Sequence, residues 1–298
     1  MTIESDWGDW LPTAIADASP NGVRIWYLGC NGVVLKGSGG TTLFIDPYLG
    51  TGDPPRTIRM LPIPFDPDDV LDADAVFATH EHVDHAHGPS QAPILANTAA
   101  TFYGPDESVA VTESEGWTAD YDVDDTQIET VREGDRIDLG EFTVTVHPAN
   151  DPDAAHPVTY VVDHEAGTFF HGGDSKPTPA FESIARSQNI DLGVLAFGTV
   201  GMMPDRETHE PTRTKWYNDE TQLIEAANAL ELDRVLPSHW DMWKRLTADP
   251  TALHYHVRSF EYPRSITLVE IGDSVALNDG RADVHSPIDD PRGASETR

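Results

Sequence analysis

The sequence predicts an α/β fold in which short strands dominate, helices are interspersed and no linker divides the chain. Three observations predict it. Short apolar runs, many of them alternating, recur from about residue 23 to 277. Two segments, 178–188 and 218–232, carry helical spacing. Gly- and Pro-rich stretches punctuate the runs.

Taken in order, VRIWYLG (23–29), GVVLKGS (32–38) and TTLFIDP (41–47) read as three strands joined by Gly-rich turns, an antiparallel meander. Residues 54–69 are Pro-rich and read as loop. ADAVFAT (73–79) reads as a buried strand. PILANTAATFYG (93–104) suggests a strand turning into a short helix. TQIETV (126–131) and EFTVTVHPA (141–149) alternate as half-buried strands do. HEAG between PVTYVVD (157–163) and TFFHGGD (168–174) signals a hairpin. Thr178 is the expected N-cap of the helix over 178–188. DLGVLAFG (191–198) reads as a buried strand, and Asn218 opens the clearest helix. RVLPSH (234–239) is a strand ending in histidine, and ITLVEIGDSVAL (266–277) reads as a closing hairpin. A single domain over 1–279 is expected, with an acidic, disordered tail over 280–298.

Asp and Glu number 51 against 19 Lys and Arg, a net charge of -32. The acids are spread along the whole chain. Such charge opposes compaction at low salt, so a high-salt cytoplasm is the expected setting. It also disfavours a nucleic-acid-binding surface. No window is apolar enough to span a membrane. The opening MTIESDWGDWLP has no basic segment followed by an apolar one, so no secretory signal is read. One cysteine, Cys30, excludes an internal disulfide.

The chemistry is concentrated in THEHVDH (79–85), directly after an apolar run. Side chains two apart in extended chain point the same way, so His80 and His82 can reach one metal ion. Asp84 and His85 follow where the chain turns and can face a second ion. Imidazole with carboxylate suits Zn, Fe, Mn or Ni. Three further residues end apolar strands: His147 in TVTVHPAND, Asp174 in FFHGGDS and His239 in VLPSHWD. His156, His171 and His209 compete with His147 for the third position, and His171 suits the core or an outer shell better.

This ordered set resembles the metallo-β-lactamase superfamily, in particular the branch containing L-ascorbate-6-phosphate lactonase. The resemblance also rests on WYLGCNGVVLKGSGGTTLFIDPYLGTG, DAVFATHEHVDHAH and NALELDRVLPSHWDMWK, and covers roughly residues 25 to 277. It implies an αβ/βα sandwich of two mixed β-sheets flanked by helices, with the metal site at the edge where strand-end loops meet. It further implies two divalent ions, zinc or manganese. His80, His82 and His147 would hold the first, Asp84, His85 and His239 the second, and Asp174 would bridge. The implied activity is hydrolysis by a metal-bound hydroxide, with Asp84 and Asp174 in catalytic roles. The lactonase-like proteins also suggest a homo-oligomer.

A small anionic substrate is expected, such as a sugar-phosphate lactone. Arg206, His209, Arg213 and Lys215 cluster in the loop 198–216 and are candidates for binding its anionic group. Arg56 and Arg59 form a second candidate pair, and Tyr48, Trp240 and Trp243 are candidate cleft walls. Two alternatives remain: a phosphodiesterase acting on a nucleotide or lipid, and a non-catalytic metal-binding relative.

Overall fold

The computed structural model describes residues 3–286. In chain order the strands are β1 (Val23–Gly29), β2 (Gly32–Gly37), β3 (Thr42–Ile45), β4 (Ala75–Phe77), β5 (Thr101–Gly104) and β6 (Ile128–Thr130). They continue as β7 (Arg136–Leu139), β8 (Phe142–Pro148), β9 (Val158–His164), β10 (Gly167–His171) and β11 (Leu192–Ala196). The last are β12 (Gly201–Pro204), β13 (Pro211–Thr214), β14 (Arg234–Ser238), β15 (Ser265–Ile266), β16 (Ser274–Asn278) and β17 (Arg281–His285). One sheet runs β17-β16-β1-β2-β3-β4-β5-β6 and the other β15-β14-β11-β10-β9-β8-β7. Both mix parallel and antiparallel pairs.

Alternation along the strands explains the layers. In β1, Ile25 and Tyr27 enter the core between the sheets, where they share a cluster with Val144, Val146, Tyr160 and Val194. Trp26 and Leu28 point the other way, into a cluster with Leu11 and Ile15 of the helix Trp10–Asp17 and Ile94 and Leu95 of the helix Gly88–Asn97. On the far side of the second sheet, Phe170 and Leu195 pack under Phe181 and Ile184 of the helix Pro179–Ser187. They also meet Leu223 and Ile224 of the helix Glu220–Ala229. Strands covered on both faces read as continuous apolar runs. The architecture is therefore an αβ/βα sandwich.

Four details differ from the sequence reading. Within 93–104 the order is reversed: the helix Gly88–Asn97 comes first and β5 follows. Pro93 lies inside that helix, where it costs about 3 kcal/mol. Burying Ile94 and Leu95, at roughly 1.5–3 kcal/mol each, offsets it. Residues 266–277 are not a hairpin. They cross from β15 in one sheet to β16 in the other, and Val269 and Ile271 enter the central core on the way. Asp219, not Asn218, caps the helix Glu220–Ala229, in a capping box with Gln222. The expected disorder from 280 is overturned as far as His285: β17 pairs with β16, and Ala282 is buried in the central core. Residues 287–298 of that expected tail lie outside the described residues. No helix among the described residues is long and apolar enough to cross a membrane.

The topology also explains why distant ligands meet. β1 and β3 run in one direction and β4 is parallel to β3, so their C-terminal ends share one edge. In the second sheet β8, β10, β11 and β14 likewise run the same way. The residues just past these strand ends gather along this edge, where open α/β sheets place ligands.

Candidate metal centre

The segment after β4 is pinned before it reaches the site. Thr79 donates its N–H and its hydroxyl to the buried Asp46 carboxylate just past β3, at 2.8 and 2.7 Å. That hydroxyl then accepts from His80 Nδ1 at 3.0 Å. His85 Nδ1 donates to Asp46 Oδ2 at 2.7 Å. His82 Nε2 donates to the carbonyl of Asp153 at 3.1 Å. His80 and His82 therefore carry a proton on the outer nitrogen and keep a lone pair for the site, while His85 turns its Nε2 toward the site. Gly173 closes the arrangement from the other sheet. Its φ is +52, and a Cβ there would lie 2.8 Å from Thr79 Oγ1, so only glycine fits.

Among the described residues three clusters result, each with ligand atoms within 4.8 Å of one another: His80, His82 and Asp151; His80, His85 and Asp174; Cys30, Asp84 and His239. Asp174 Oδ2 is 3.5 Å from His85 Nε2, and its Oδ1 is 3.3 Å from His239 Nε2. Six of the seven ligands expected from the sequence are thus brought together.

His147 is not among them. In β8, Phe142, Val144 and Val146 face the central core, while Thr143, Thr145 and His147 are half-buried on the opposite face. The pleat turns the His147 imidazole away from the edge. Burial lowers its pKa, opposed in part by Glu133 and Asp163. The chain then bends past Pro148, where Asn150 N–H donates to Ser175 Oγ at 2.8 Å. The bend delivers Asp151, whose Oδ2 lies 3.7 Å from His80 Nε2 and 3.8 Å from His82 Nδ1. Of the competing histidines, His156 is exposed beside Glu107, His171 donates from Nε2 to the Asn31 carbonyl at 2.8 Å, and His209 is exposed. Asp151 stands only four residues beyond His147 in TVTVHPAND. A carboxylate one bend past a strand end was the available signal.

The electrostatics follow from burial among like and unlike charges. Burial alone would lower His85, but Asp174, Asp46 and Asp84 outweigh it and hold the imidazole well above its ordinary value. Burial and the neighbouring His85 press His80 well below. Burial would raise Asp174, yet His239 and His85 hold its carboxyl well below the usual range. Asp151 is raised by burial and by Asp174.

The donor set fits divalent cations. His80 Nε2 and His82 Nδ1, both left without a proton by their outer partners, face each other at 2.9 Å. Two lone pairs repel at that distance unless a cation lies between them. Two nitrogens bound to one tetrahedral ion at about 2.0–2.1 Å would stand about 3.3 Å apart, close to what is seen. Among the described residues, His85 Nε2 is buried with no hydrogen-bond partner, as a vacant ligand atom would be. Cys30, Asp46 and His239 all have left-handed backbones, with φ of 59, 50 and 63. Such strain, on the order of 1–3 kcal/mol each, collects at functional sites.

The centre opens into a cleft of about 980 Å³. Trp216, Tyr217 and Trp243 form its aromatic wall, and Tyr217 stacks on His239 with ring centroids 4.1 Å apart. Of the cationic candidates, Arg206 lines the cleft from the turn of the β12–β13 arm. Lys215 is tied to Asp219 at 2.6 Å, and Arg213 is exposed and does not line the cleft. Arg56 also lines the cleft, 5.4 Å above the Trp216 ring. Burial and the nearby Arg206 lower its pKa. Arg59 is structural, donating to the carbonyls of Tyr48, Gly50, Leu61 and Pro62. Trp240 packs against the outer core of the second sheet.

Residues 41–240, well over half of the chain, match the family described as "Beta-lactamase superfamily domain". A protein named "Probable L-ascorbate-6-phosphate lactonase UlaG" from Escherichia fergusonii is 27% identical over 290 residues, covering 82% of this chain and 77% of its own. The isothiocyanate hydrolase from Delia radicum gut bacteria has a TM-score of 0.62 at 17% identity, over 86% of this chain and 99% of that one. Igni18, a metallo hydrolase from Ignicoccus hospitalis, has a TM-score of 0.61 at 18% identity, over 89% of this chain and 98% of that one. At such identities the two structures speak for the fold alone. With the ligand order, the two-sheet sandwich and the matched domain in agreement, the chain belongs to the metallo-β-lactamase superfamily of metal-dependent hydrolases.

Proposed function

We propose that this hydrolase acts on a small anionic molecule, with sugar-phosphate lactones as the leading substrate class. The observation that carries the proposal is one cleft holding both the ligand clusters and the guanidinium groups of Arg56 and Arg206. His80, His82 and Asp151 would hold one divalent ion, and Asp84, His85 and His239 a second, with Asp174 between them. Zinc or manganese suits this set. When bound, such ions supply Lewis acidity and an activated water.

The chain's own residues do the rest. Six carboxylates line the cleft, those of Asp53, Glu81, Asp84, Asp151, Asp153 and Asp174, against the two arginines. That field repels an anion unless cations are bound; two divalent ions offset four charges. Arg56 and Arg206 are then free to seat a phosphate or carboxylate at the mouth. Asp84, with its side chain 13% exposed, orients the attacking water and accepts its proton. Trp216 and Trp243 exclude bulk water. The likeness to the lactonase relative supports a lactone carbonyl as the electrophile. The net charge of -32 supports a high-salt cytoplasm as the setting.

The test is elemental analysis of the purified protein alongside a substrate panel with added zinc or manganese. The panel holds sugar-phosphate lactones, neutral lactones and bis(p-nitrophenyl) phosphate. Two ions per chain and preferential cleavage of phosphorylated lactones are expected. Cleavage of the phosphodiester alone would move the electrophile to phosphorus. Absence of metal and of all cleavage would leave a non-catalytic relative.

A further inference from the structure

Asn31 sits in the turn between β1 and β2 and is fully buried. Asparagine commonly serves a turn by bonding its own backbone. Here both ends of the side chain reach elsewhere. Nδ2 donates to Asp174 Oδ1 at 2.8 Å, and Oδ1 accepts from Ser238 Oγ. An ionised carboxylate only accepts hydrogen bonds, so the amide nitrogen must face Asp174. The amide oxygen then faces Ser238, whose hydroxyl must donate.

The turn is clamped from both sides. His171 Nε2 donates to the Asn31 carbonyl at 2.8 Å, and His239 N–H donates to the Cys30 carbonyl at 3.0 Å. Asp174 Oδ1 also lies 3.3 Å from His239 Nε2, while its Oδ2 lies 3.5 Å from His85 Nε2. A donor on Oδ1 fixes the rotation of the carboxyl group, and with it which oxygen faces which histidine. An amide does this without adding charge. Asp174 therefore keeps its negative charge for cations, which a lysine or arginine in the same place would offset.

We propose that Asn31 is a positioning residue for Asp174, and that Ser238 acts through it by holding the amide in its donating orientation. The proposal rests on the metal site of the hydrolase reading, in which Asp174 stands between two ions. Being buried, Asn31 reaches no substrate. Its effect is on how tightly the ions are held.

The experiment is calorimetric titration of the metal-free protein with zinc, beside thermal melts of the metal-free protein. Asn31→Ala should weaken zinc binding about 10- to 100-fold, the usual cost of losing a hydrogen bond to a ligating group. Ser238→Ala leaves Asp174 untouched and should weaken binding in the same direction by a smaller factor. The double variant should bind zinc no more weakly than Asn31→Ala, because Ser238 acts through the amide. Bonds that merely hold the fold would lower the metal-free Tm of the variants and leave zinc affinity at the wild-type value. That outcome would overturn the assignment and leave the hydrolase reading standing. Additive losses in the double variant would overturn the relay through Ser238. No zinc uptake by the wild-type protein would overturn both the assignment and the hydrolase reading. If Asn31→Ala does not fold, Ser238→Ala decides: weakened zinc binding supports the proposal, and unchanged binding overturns it.

Discussion

His80 Nε2 and His82 Nδ1 face each other at 2.9 Å while the other nitrogen of each ring is committed as a donor. The pair is arranged for a cation. Chelation should therefore destabilise the protein, by about 2.7 kcal/mol for each ion previously held at 100 times its Kd. Thermal melts with and without a chelator check this. His82→Ala and Asp174→Asn should lower bound metal per chain and abolish the chelator effect while circular dichroism stays native.

Asp151 and His147 make opposite predictions. Asp151→Asn should reduce metal content and lower kcat/KM by more than the roughly 10–100-fold typical of losing an outer-shell partner. His147→Ala, on the outer face of β8, should stay within about twofold, as surface changes usually do. Native activity in Asp151→Asn with metal lost in His147→Ala would reverse the ligand assignment.

Arg56 and Arg206 should act on binding rather than on chemistry. Replacing either with Ala should raise KM for a phosphorylated substrate about 10- to 100-fold, as loss of a charge-assisted hydrogen bond implies, with little change in kcat. A neutral analogue should show no such effect. Arg213→Ala and Lys215→Ala should leave KM unchanged, since Arg213 lies outside the cleft and Lys215 is tied to Asp219.

Asp219 caps the helix that follows the Tyr217 wall. Burial would raise its carboxyl, but Lys215 and the capping N–H groups hold it below the usual range. A depressed carboxylate contributes stability that is present above its unfolded value near pH 4 and lost as pH falls through its folded value. Asp219→Ala should therefore cost about 1 kcal/mol at neutral pH and progressively less in acid. Denaturant midpoints measured at both ends of that range read the difference.

The charge of -32 predicts that salt stabilises the fold. Raising KCl toward 1 M shrinks the Debye length to roughly 3 Å and screens the repulsion among surface acids. Tm should climb steadily over that range. A flat profile would sink the high-salt reading.

Much of the site was legible because its spacing is local. In THEHVDH, residues two apart in the sequence share a side of the chain whatever the rest of the fold does. The strand-end positions of Asp174 and His239 were legible too, since apolar runs stop there. The reversed helix and strand over 93–104 were not, because Pro93 argues against a helix that only packing against the sheet makes worthwhile.

By itself the sequence determined the strand-rich mixture of strands and helices and the imidazole–carboxylate chemistry, since both rest on short-range periodicity and residue type; the layering followed from the family resemblance. Tertiary structure alone decided that Asp151 rather than His147 stands beside His80 and His82, that Arg56 joins Arg206 at the cleft, and that Cys30 meets Asp84 and His239. Each depends on which way a pleat faces or where a turn is delivered. Contacts between residues far apart in the chain set both.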